Sequence, residues 1–519
     1  MFVVVINESK FEYDIHSIVK AFYPEENVKV LTPETAEDKR AELLKDVKLT
    51  VELTGQGAEL LFGQITTDDN SENNTEKEAV GSGEGSGAGT ASPYGVTDDT
   101  KLNWHIKPDS PEATDKKAYK DAFKRFLYTS LSEHTGKKLP WGNLTGIRPT
   151  KIAMGLLEEG KCDEEIINFM ETAHYVSKEK AELSVDIAKR EKKLLAGIHY
   201  EEGYSLYIGI PFCPTTCLYC SFTSYPICKF RNRVEEYIDC LIKEMEFTKE
   251  ACKDKILDSV YIGGGTPTTL EADQLDRLLT ALKANFDFST VQEFTVEAGR
   301  ADSITKEKLE VLKKHHVGRI SINPQTMKQE TLHMIGRQAS VEQVREAYKL
   351  AREVGDFNIN MDIILGLPGE DEADVQHTID EIVAMEPDSL TVHSLAIKRA
   401  SKLSQWIIEN GVSTLRNTDK TMEIAAAGAK QLNMHPYYLY RQKNMSGNFE
   451  NVGYATEGNY GIYNILIMEE KQTIVALGAG SITKVVYPDG RIERCDNVKD
   501  VALYIEKIEE MIERKRALL

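Results

Sequence analysis

Three cysteines, Cys213, Cys217 and Cys220, stand in "YIGIPFCPTTCLYCSF" (207–222) at the spacing C-x3-C-x2-C. Tetrahedral zinc and structural iron-sulfur sites usually take four protein ligands, so this run is one ligand short. Further on come "GGGTPT" (263–268), Glu297, Gln325 and Asp362, each in or just after a short apolar run. Glycine lets backbone approach another group without a Cβ, and carboxylate and amide side chains offer hydrogen bonds to a polar ligand. Singly, each has a bland reading: a tight turn, a solvated strand end, a loop residue or a cap.

Three thiolates can hold three irons of a 4Fe-4S cluster, which leaves the fourth iron open to an exchangeable ligand and makes the cluster a one-electron donor. The known cofactor that uses such an open iron is S-adenosylmethionine, whose amino and carboxylate groups chelate it before electron transfer. A glycine triplet suits close approach to its methionyl part.

What must position these residues is an alternation, from residue 204 on, of short apolar runs with amphipathic stretches, the pattern of β/α units around a parallel sheet. The predicted strands are Ser205 to Ile210, Ser259 to Ile262, Glu293 to Glu297, Arg319 to Ile322, Asn358 to Leu365 and Ser389 to Ser394. Six units, where a closed barrel needs eight, predict an α/β fold built on a partial (β/α)6 barrel open on one side. Such barrels carry their chemistry on the loops after the strands. The cysteines, the glycine triplet, Glu297, Gln325, Asp362 and Ala396 all fall there, and that joint placement outweighs the bland readings.

The remaining organisation is read from composition. Residues 1–65 predict a small α+β module, with strand-like "MFVVVIN", "VKVLT" and "VKLTVELT" around a helical "YDIHSIVKAFY". Residues 66–103 are acidic and Gly/Ser-rich, a linker composition. Residues 104–200 read as a helical segment, 201–400 as the barrel, and 401–519 as an α+β C-terminal region covering the substrate.

Asp and Glu number 83 against 63 Lys and Arg, a formal charge of -20, which argues against nucleic acid as a partner. No cationic segment precedes the apolar N-terminal run and no stretch is long enough to span a bilayer, so a cytoplasmic protein is expected. Cys162, Cys240, Cys252 and Cys495 lack ligand spacing and read as core thiols. Cys228, eight residues past the cluster run, reads as a nonligand.

Trp141, Arg148 and Lys151 in "KLPWGNLTGIRPTKI" could meet an anionic ligand or form a packed loop. Tyr437, Tyr438, Tyr440, Arg441 and Lys443 in "HPYYLYRQKN" could line a pocket for an anionic ring system or form an ordinary hairpin. The run "EKIEEMIERKR" (506–516) reads as a solvated helix face.

With C-x3-C-x2-C preceded by "YIGIPF" and followed by "GGGTPT", the chain resembles the radical S-adenosylmethionine superfamily. Over roughly 204 to 400 it is similar to the oxygen-independent coproporphyrinogen III oxidase (dehydrogenase) family, through "VEAG", "NPQT", "IGRQ" and "MDIILGLPGE". The N-terminal module and "LPWGNLTGIRPTK" resemble its HemZ-type branch.

The resemblance implies a 4Fe-4S cluster on Cys213, Cys217 and Cys220, and S-adenosylmethionine bound to it at Tyr207, Gly264 and Glu297. It implies a second S-adenosylmethionine at Tyr219, Gly265, Thr266, Gln325, Arg337, Asp362 and Ala396. The implied reaction is a radical oxidative decarboxylation that turns two propionates of coproporphyrinogen III into vinyl groups, with a reduced donor such as flavodoxin or ferredoxin. No catalytic residue beyond the cofactor sites is implied.

The well-studied dehydrogenases carry a further cysteine two positions past the cluster motif, where this chain has Phe222. The sister haem chaperones also lack it, which keeps a haem-binding and transfer protein as the alternative. Those chaperones have a His-Asn pair followed by Tyr-Trp, whereas "GIYNILIM" (461–468) has Tyr463 before Asn464 and no tryptophan, which favours the enzyme. A structural metal scaffold would need Cys228 or His393 as a fourth ligand and would leave the strand-end residues unexplained.

Overall fold

The computed structural model describes residues 1–24, 26–66, 95–107, 110–146, 148–222, 224–397, 401–411, 415–441 and 449–519. By internal contact the chain divides into two units, 1–145 with 169–178, and 146–168 with 179–519.

In the first unit, strands β1 (Phe2–Ile6), β2 (Val28–Leu31), β3 (Val47–Thr54), β4 (Gly57–Thr66) and β5 (Gly95–His105) form one sheet in the order β2-β1-β3-β4-β5. β1 runs parallel to β2 and β3, and the rest is an antiparallel meander. Ile15, Ile18, Val19 and Phe22 of helix Glu12–Phe22 share a core with Phe123, Leu127 and Leu131 of helix Lys116–Thr135. Their i, i+3, i+4 spacing gives each helix one apolar stripe to bury.

Two expected boundaries are corrected here. Of the linker 66–103, residues 67–94 lie outside the described residues, but 95–103 belong to β5, paired antiparallel with β4. An average over acidic residues conceals a half-buried edge strand, whose Leu102 and Trp104, two apart, both pack on the core. The segment 104–200 is likewise not one helical unit, because helix Lys116–Thr135 completes the N-terminal core.

The second unit is built on β6 (Gly203–Ile210), β7 (Phe212–Cys213), β8 (Tyr225–Pro226), β9 (Ile256–Gly264), β10 (Glu293–Glu297), β11 (Arg319–Ser321), β12 (Asn358–Leu365), β13 (Ser389–Ser394), β14 (His435–Tyr440), β15 (Asn451–Ala455), β16 (Thr473–Leu477), β17 (Ile482–Val486) and β18 (Ile492–Asp496). The six predicted strands are β6 and β9 to β13, all parallel and in sequence order.

They do not stand alone, since the sheet has eleven strands, in the order β14-β15-β13-β12-β11-β10-β9-β6-β16-β17-β18. β16 adds a seventh parallel strand beside β6, and antiparallel strands extend both edges. The C-terminal region is thus part of the barrel sheet. The cause is physical: β6 is buried on both faces, so its outer row of N–H and C=O groups needs a partner. "TIVAL", buried at every position, supplies it.

Helices Val234–Ala251, Ala272–Asn285, Lys306–Lys314, Val341–Val354 and Glu372–Met385 make the crossovers. In Ala272–Asn285 the apolar stripe is Leu275, Leu278, Leu279 and Leu282, and a capping box between Glu271 and Gln274 sets its start.

At the C-terminus the run 506–516 is not a plain solvated face. Ile508, Met511, Ile512 and Lys515 are buried, and the Lys515 ammonium pairs with Glu244, both side chains wholly inaccessible. Tyr504 (2.5 Å), Asn497 (2.9 Å) and the Gly478 N–H (2.7 Å) also donate to the Glu244 carboxylate. Of the expected core thiols, Cys240 and Cys252 are buried, Cys495 is partly so, and Cys162 is exposed. Cys162 directly precedes helix Asp163–His174, a position with little around it to bury a side chain. Among the described residues no helix is long and apolar enough to cross a membrane.

Candidate functional site

The cysteine loop leaves β6 at Ile210 and is closed by the short β7–β8 pairing. The Leu218 N–H donates to the Ile335 carbonyl at 2.9 Å and Thr215 Oγ1 to the Gly336 carbonyl at 2.8 Å. These bonds tie the cysteine loop to the segment that carries Arg337.

Arg300, 4% exposed, was not singled out from the sequence, yet it organises this loop. Its guanidinium donates to the Thr215 carbonyl (3.1 Å) and Oγ1 (2.8 Å), lies 4.0 Å from Cys217 Sγ, and pairs with Asp302 at 2.6 Å. A buried cation three residues past a strand-end acid, in "VEAGR", was the available signal.

Thr266 Oγ1 donates to Cys213 Sγ at 3.5 Å. Burial pushes the Cys213 thiol up to about 11, and Cys220 and Cys217 add to this. Among the described residues no three His, Cys, Asp or Glu side chains close on one point as a single metal ion requires. A cubane places a separate iron at each thiolate and needs no such convergence.

The glycine triplet is demanded by the protein's own packing. A Cβ on Gly263 would lie 2.8 Å from the Tyr261 ring and 3.1 Å from the Glu297 carboxyl, and one on Gly265 only 2.5 Å from the Phe212 carbonyl oxygen. The Gly265 and Thr266 N–H groups donate to the Ile210 and Phe212 carbonyls at 2.8 and 2.7 Å, fastening the β9 end against the cysteine loop. Gly264 has φ +106, and its Cβ position lies 3.2 Å from the Tyr207 hydroxyl.

Glu297 ends β10 and accepts a short hydrogen bond from the Tyr261 hydroxyl. Burial raises its carboxyl to about 7, Tyr261 opposes the rise and Asp362 adds to it. Rings from three elements stack beside it: Tyr207 with Tyr261 at 6.3 Å, Tyr261 with Tyr463 at 4.4 Å, and Tyr207 with Tyr463 at 6.2 Å. Asp362 accepts from Asn360 Nδ2 at 2.7 Å and faces His393 Nε2 at 3.7 Å. Burial works against its ionised form, but His393, Asn360 and Thr391 outweigh it and hold the carboxyl below its ordinary value.

Gln325 is the one non-glycine residue among the expected site positions in the left-handed region, at φ +69. It bridges β12: its N–H donates to the Asp362 carbonyl and its own carbonyl accepts from the Ile364 N–H, both at 2.9 Å. Arg337 is buried, donates to the Asn323 carbonyl, and reaches the Tyr219 hydroxyl at 3.3 Å. Asn323 Oδ1, Gln325 Oε1 and Arg337 Nε are buried with no hydrogen-bond partner. Such atoms are costly unless something polar meets them. Ala396, two residues past β13, is partly buried, and the neighbouring Leu395 joins an apolar cluster with Ile335, Leu367, Leu218 and Tyr219.

The structure therefore brings Tyr207, Gly264, Glu297 and Asp362 into one interior group, and Cys217, Tyr219 and Arg337 into another, with Gln325 on the backbone of Asp362. Three thiols on one loop, a buried guanidinium at their base and three orphaned polar atoms fit a cluster with an adjacent polar cofactor. Cys228 is exposed in a turn at Ile227–Lys229, and His393 faces Asp362 and Tyr440, 3.4 Å away.

Tyr437 and Tyr438 of β14 are buried in an apolar cluster with Ile465 and Leu466, so this pair reads as core, and Lys443 lies outside the described residues. Trp141 is fully buried, and Arg148 pairs with Glu470 at 2.7 Å. Lys151 feels Glu469 and Glu470.

Comparison with known proteins gives the following. The profile of the radical SAM superfamily matches residues 207–382. The chain is 42% identical, over 79% of its own length and 84% of the relative's, to the oxygen-independent coproporphyrinogen-III oxidase-like protein HemZ of Bacillus subtilis. It is 32% identical to the haem chaperone HemW of the same organism, over 47% of this chain and 63% of that one. Among solved structures it resembles the coproporphyrinogen III oxidase HemN of Escherichia coli, with a TM-score of 0.50 and 21% identity, over 62% of this chain and 72% of that one.

Proposed function

Because this chain belongs to the radical S-adenosylmethionine superfamily, in the HemZ-type branch of the oxygen-independent coproporphyrinogen III oxidase family, we propose that it is a coproporphyrinogen III dehydrogenase. In this reading two propionates become vinyl groups, each losing a hydrogen atom, carbon dioxide and one electron to an acceptor, and protoporphyrinogen IX results. The family uses a 4Fe-4S cluster and S-adenosylmethionine. The single observation that carries the reading is the set of unpartnered buried atoms of Asn323, Gln325 and Arg337, which lie at the cysteine end of the parallel strands.

Cys213, Cys217 and Cys220 would hold the cluster. Tyr207, Gly264 and Glu297 would meet one S-adenosylmethionine, and Tyr219, Gly265, Thr266, Gln325, Arg337, Asp362 and Ala396 a second. Held there, the cluster and S-adenosylmethionine would supply one-electron radical chemistry capable of removing a hydrogen atom from a propionate side chain.

The protein's own groups bind and shield. Arg337 offers a planar fork to a carboxylate. Asp362, kept ionised beside His393, accepts from ribose hydroxyls, and Gln325 Oε1 does the same. Leu218, Ile335, Leu367 and Leu395 keep water from the space around Tyr219. The electron donor in this reading is a reduced flavodoxin or ferredoxin, and the setting is the cytoplasm.

A haem-transfer role is the second reading, favoured by the similarity to HemW and by Phe222, 72% exposed where dehydrogenases carry the further cysteine. The test is anaerobic cluster reconstitution followed by S-adenosylmethionine, reductant and coproporphyrinogen III. Deoxyadenosine together with vinyl product supports the dehydrogenase. Stoichiometric haem binding with no vinyl product overturns it in favour of transfer.

A further inference from the structure

Tyr463 comes from the C-terminal region, on helix Ile462–Glu469, outside the six β/α units that supply the cofactor contacts. Its ring lies nearly parallel to that of Tyr261, centroids 4.4 Å apart at 18°, in an offset stack that also includes Tyr207. The Tyr463 N–H donates to Glu293 Oε2 at 3.1 Å, which docks this helix on the strand that ends in Glu297. Tyr261 in turn points its hydroxyl at Glu297 Oε1. Gly263 leaves the room this pair needs, since a Cβ there would meet both partners.

We propose that Tyr463 is a positioning residue: by stacking on Tyr261 it holds the Tyr261 hydroxyl on Glu297, so that the C-terminal helix controls how readily Glu297 receives a cationic cofactor. The inference rests on the reading that Glu297 faces S-adenosylmethionine, a molecule that keeps its sulfonium charge and two polar N–H bonds when its amino group chelates iron. Only an ionised carboxylate pairs with such a charge, and a hydroxyl that donates to the carboxylate favours its ionised form.

The titratable groups facing Glu297 are Tyr207 on β6, Tyr261 on β9, Asp362 on β12 and Tyr463 on the C-terminal helix. Asp362 opposes ionisation of Glu297 and the Tyr261 hydrogen bond assists it. With the carboxyl poised about 7, loss of that bond moves its titration upward through the neutral range.

The experiment measures S-adenosylmethionine binding by calorimetry to the full-length, cluster-reconstituted protein, anaerobic and unreduced, from pH 6 to 9. Each variant is expressed as its Kd relative to wild type at the same pH, which cancels titration of the ligand's own α-amino group. For a rise of about one unit from about 7, Tyr261→Phe is expected to weaken binding about fivefold at pH 7 and about ninefold at pH 6, because the ionised fraction falls by those factors. Tyr463→Leu and Tyr463→Met, two ringless variants of which one folded protein suffices, weaken it several-fold in the same pH range. For all three the ratio returns toward one at pH 9, and Tyr463→Phe, which keeps the ring, matches wild type.

A merely structural role would weaken binding equally at every pH, and that result, or ringless variants that bind like wild type, overturns the proposal. Glu297→Gln separates the two levels. If its binding no longer follows pH as wild type does, Glu297 is the titrating group; if the pH dependence persists unchanged, the Glu297 reading itself fails.

Discussion

The Arg300 guanidinium lies 4.0 Å from Cys217 Sγ and clasps the Thr215 carbonyl and hydroxyl at the same time. A fixed cation at the base of a thiolate loop offsets the negative charge that cluster ligation gathers there. Arg300→Met should lower iron retained after desalting to well below half of wild type, while Arg300→Lys keeps part of it. It should also cost about 2–4 kcal/mol in urea unfolding, because Asp302 loses its partner.

Cys217 is buried, and Cys217→Ala removes one sulfur atom from the apoprotein, a small packing loss beside the loss of a cluster ligand. Reconstitution of this variant should give neither the brown iron-sulfur absorbance nor wild-type iron content. Unchanged iron would exclude Cys217 as a ligand.

Glu297 makes apoprotein stability depend on pH. Its carboxyl stands at about 7 in the folded chain against an ordinary 4.5, so its contribution is present below about 4.5 and lost as the pH rises through 7. Between pH 5 and 8 wild type should lose about 2 kcal/mol more than Glu297→Gln, measured by urea unfolding of both apoproteins.

Lys515 and Glu244 are both wholly inaccessible, which makes their pairing conditional on both partners. Lys515→Met leaves a buried carboxylate without its cation and should cost about 3–5 kcal/mol. The double variant Glu244→Gln with Lys515→Met should recover most of that loss, read from the two denaturation midpoints.

The extent to which the site was legible follows from how local each signal is. Cysteine spacing and a triple glycine are properties of a few neighbouring residues, and short continuous apolar runs alternating with amphipathic stretches mark the parallel strands of β/α units. Strands β10, β12 and β13 accordingly have the bounds their patterns predict. Arg300 was missed because its meaning depends on Thr215, 85 residues away. Lys515 was taken for solvent-facing because a buried lysine looks like any other until Glu244 is seen opposite it. In β5, charge composition concealed a strand whose evidence is its pairing with β4.

By itself the amino-acid order determined the cysteine motif, the six β/α units and the strand ends on which polar residues would gather, since each is written in short-range pattern. Tertiary structure alone decided that β16 closes onto β6, that Gly263 makes room for Glu297, and that Tyr463 comes to stack on Tyr261. These are contacts between residues far apart in the chain, and nothing in either local pattern encodes the partner. They arise because a buried strand edge and a buried polar group each require one, and only the folded chain supplies it.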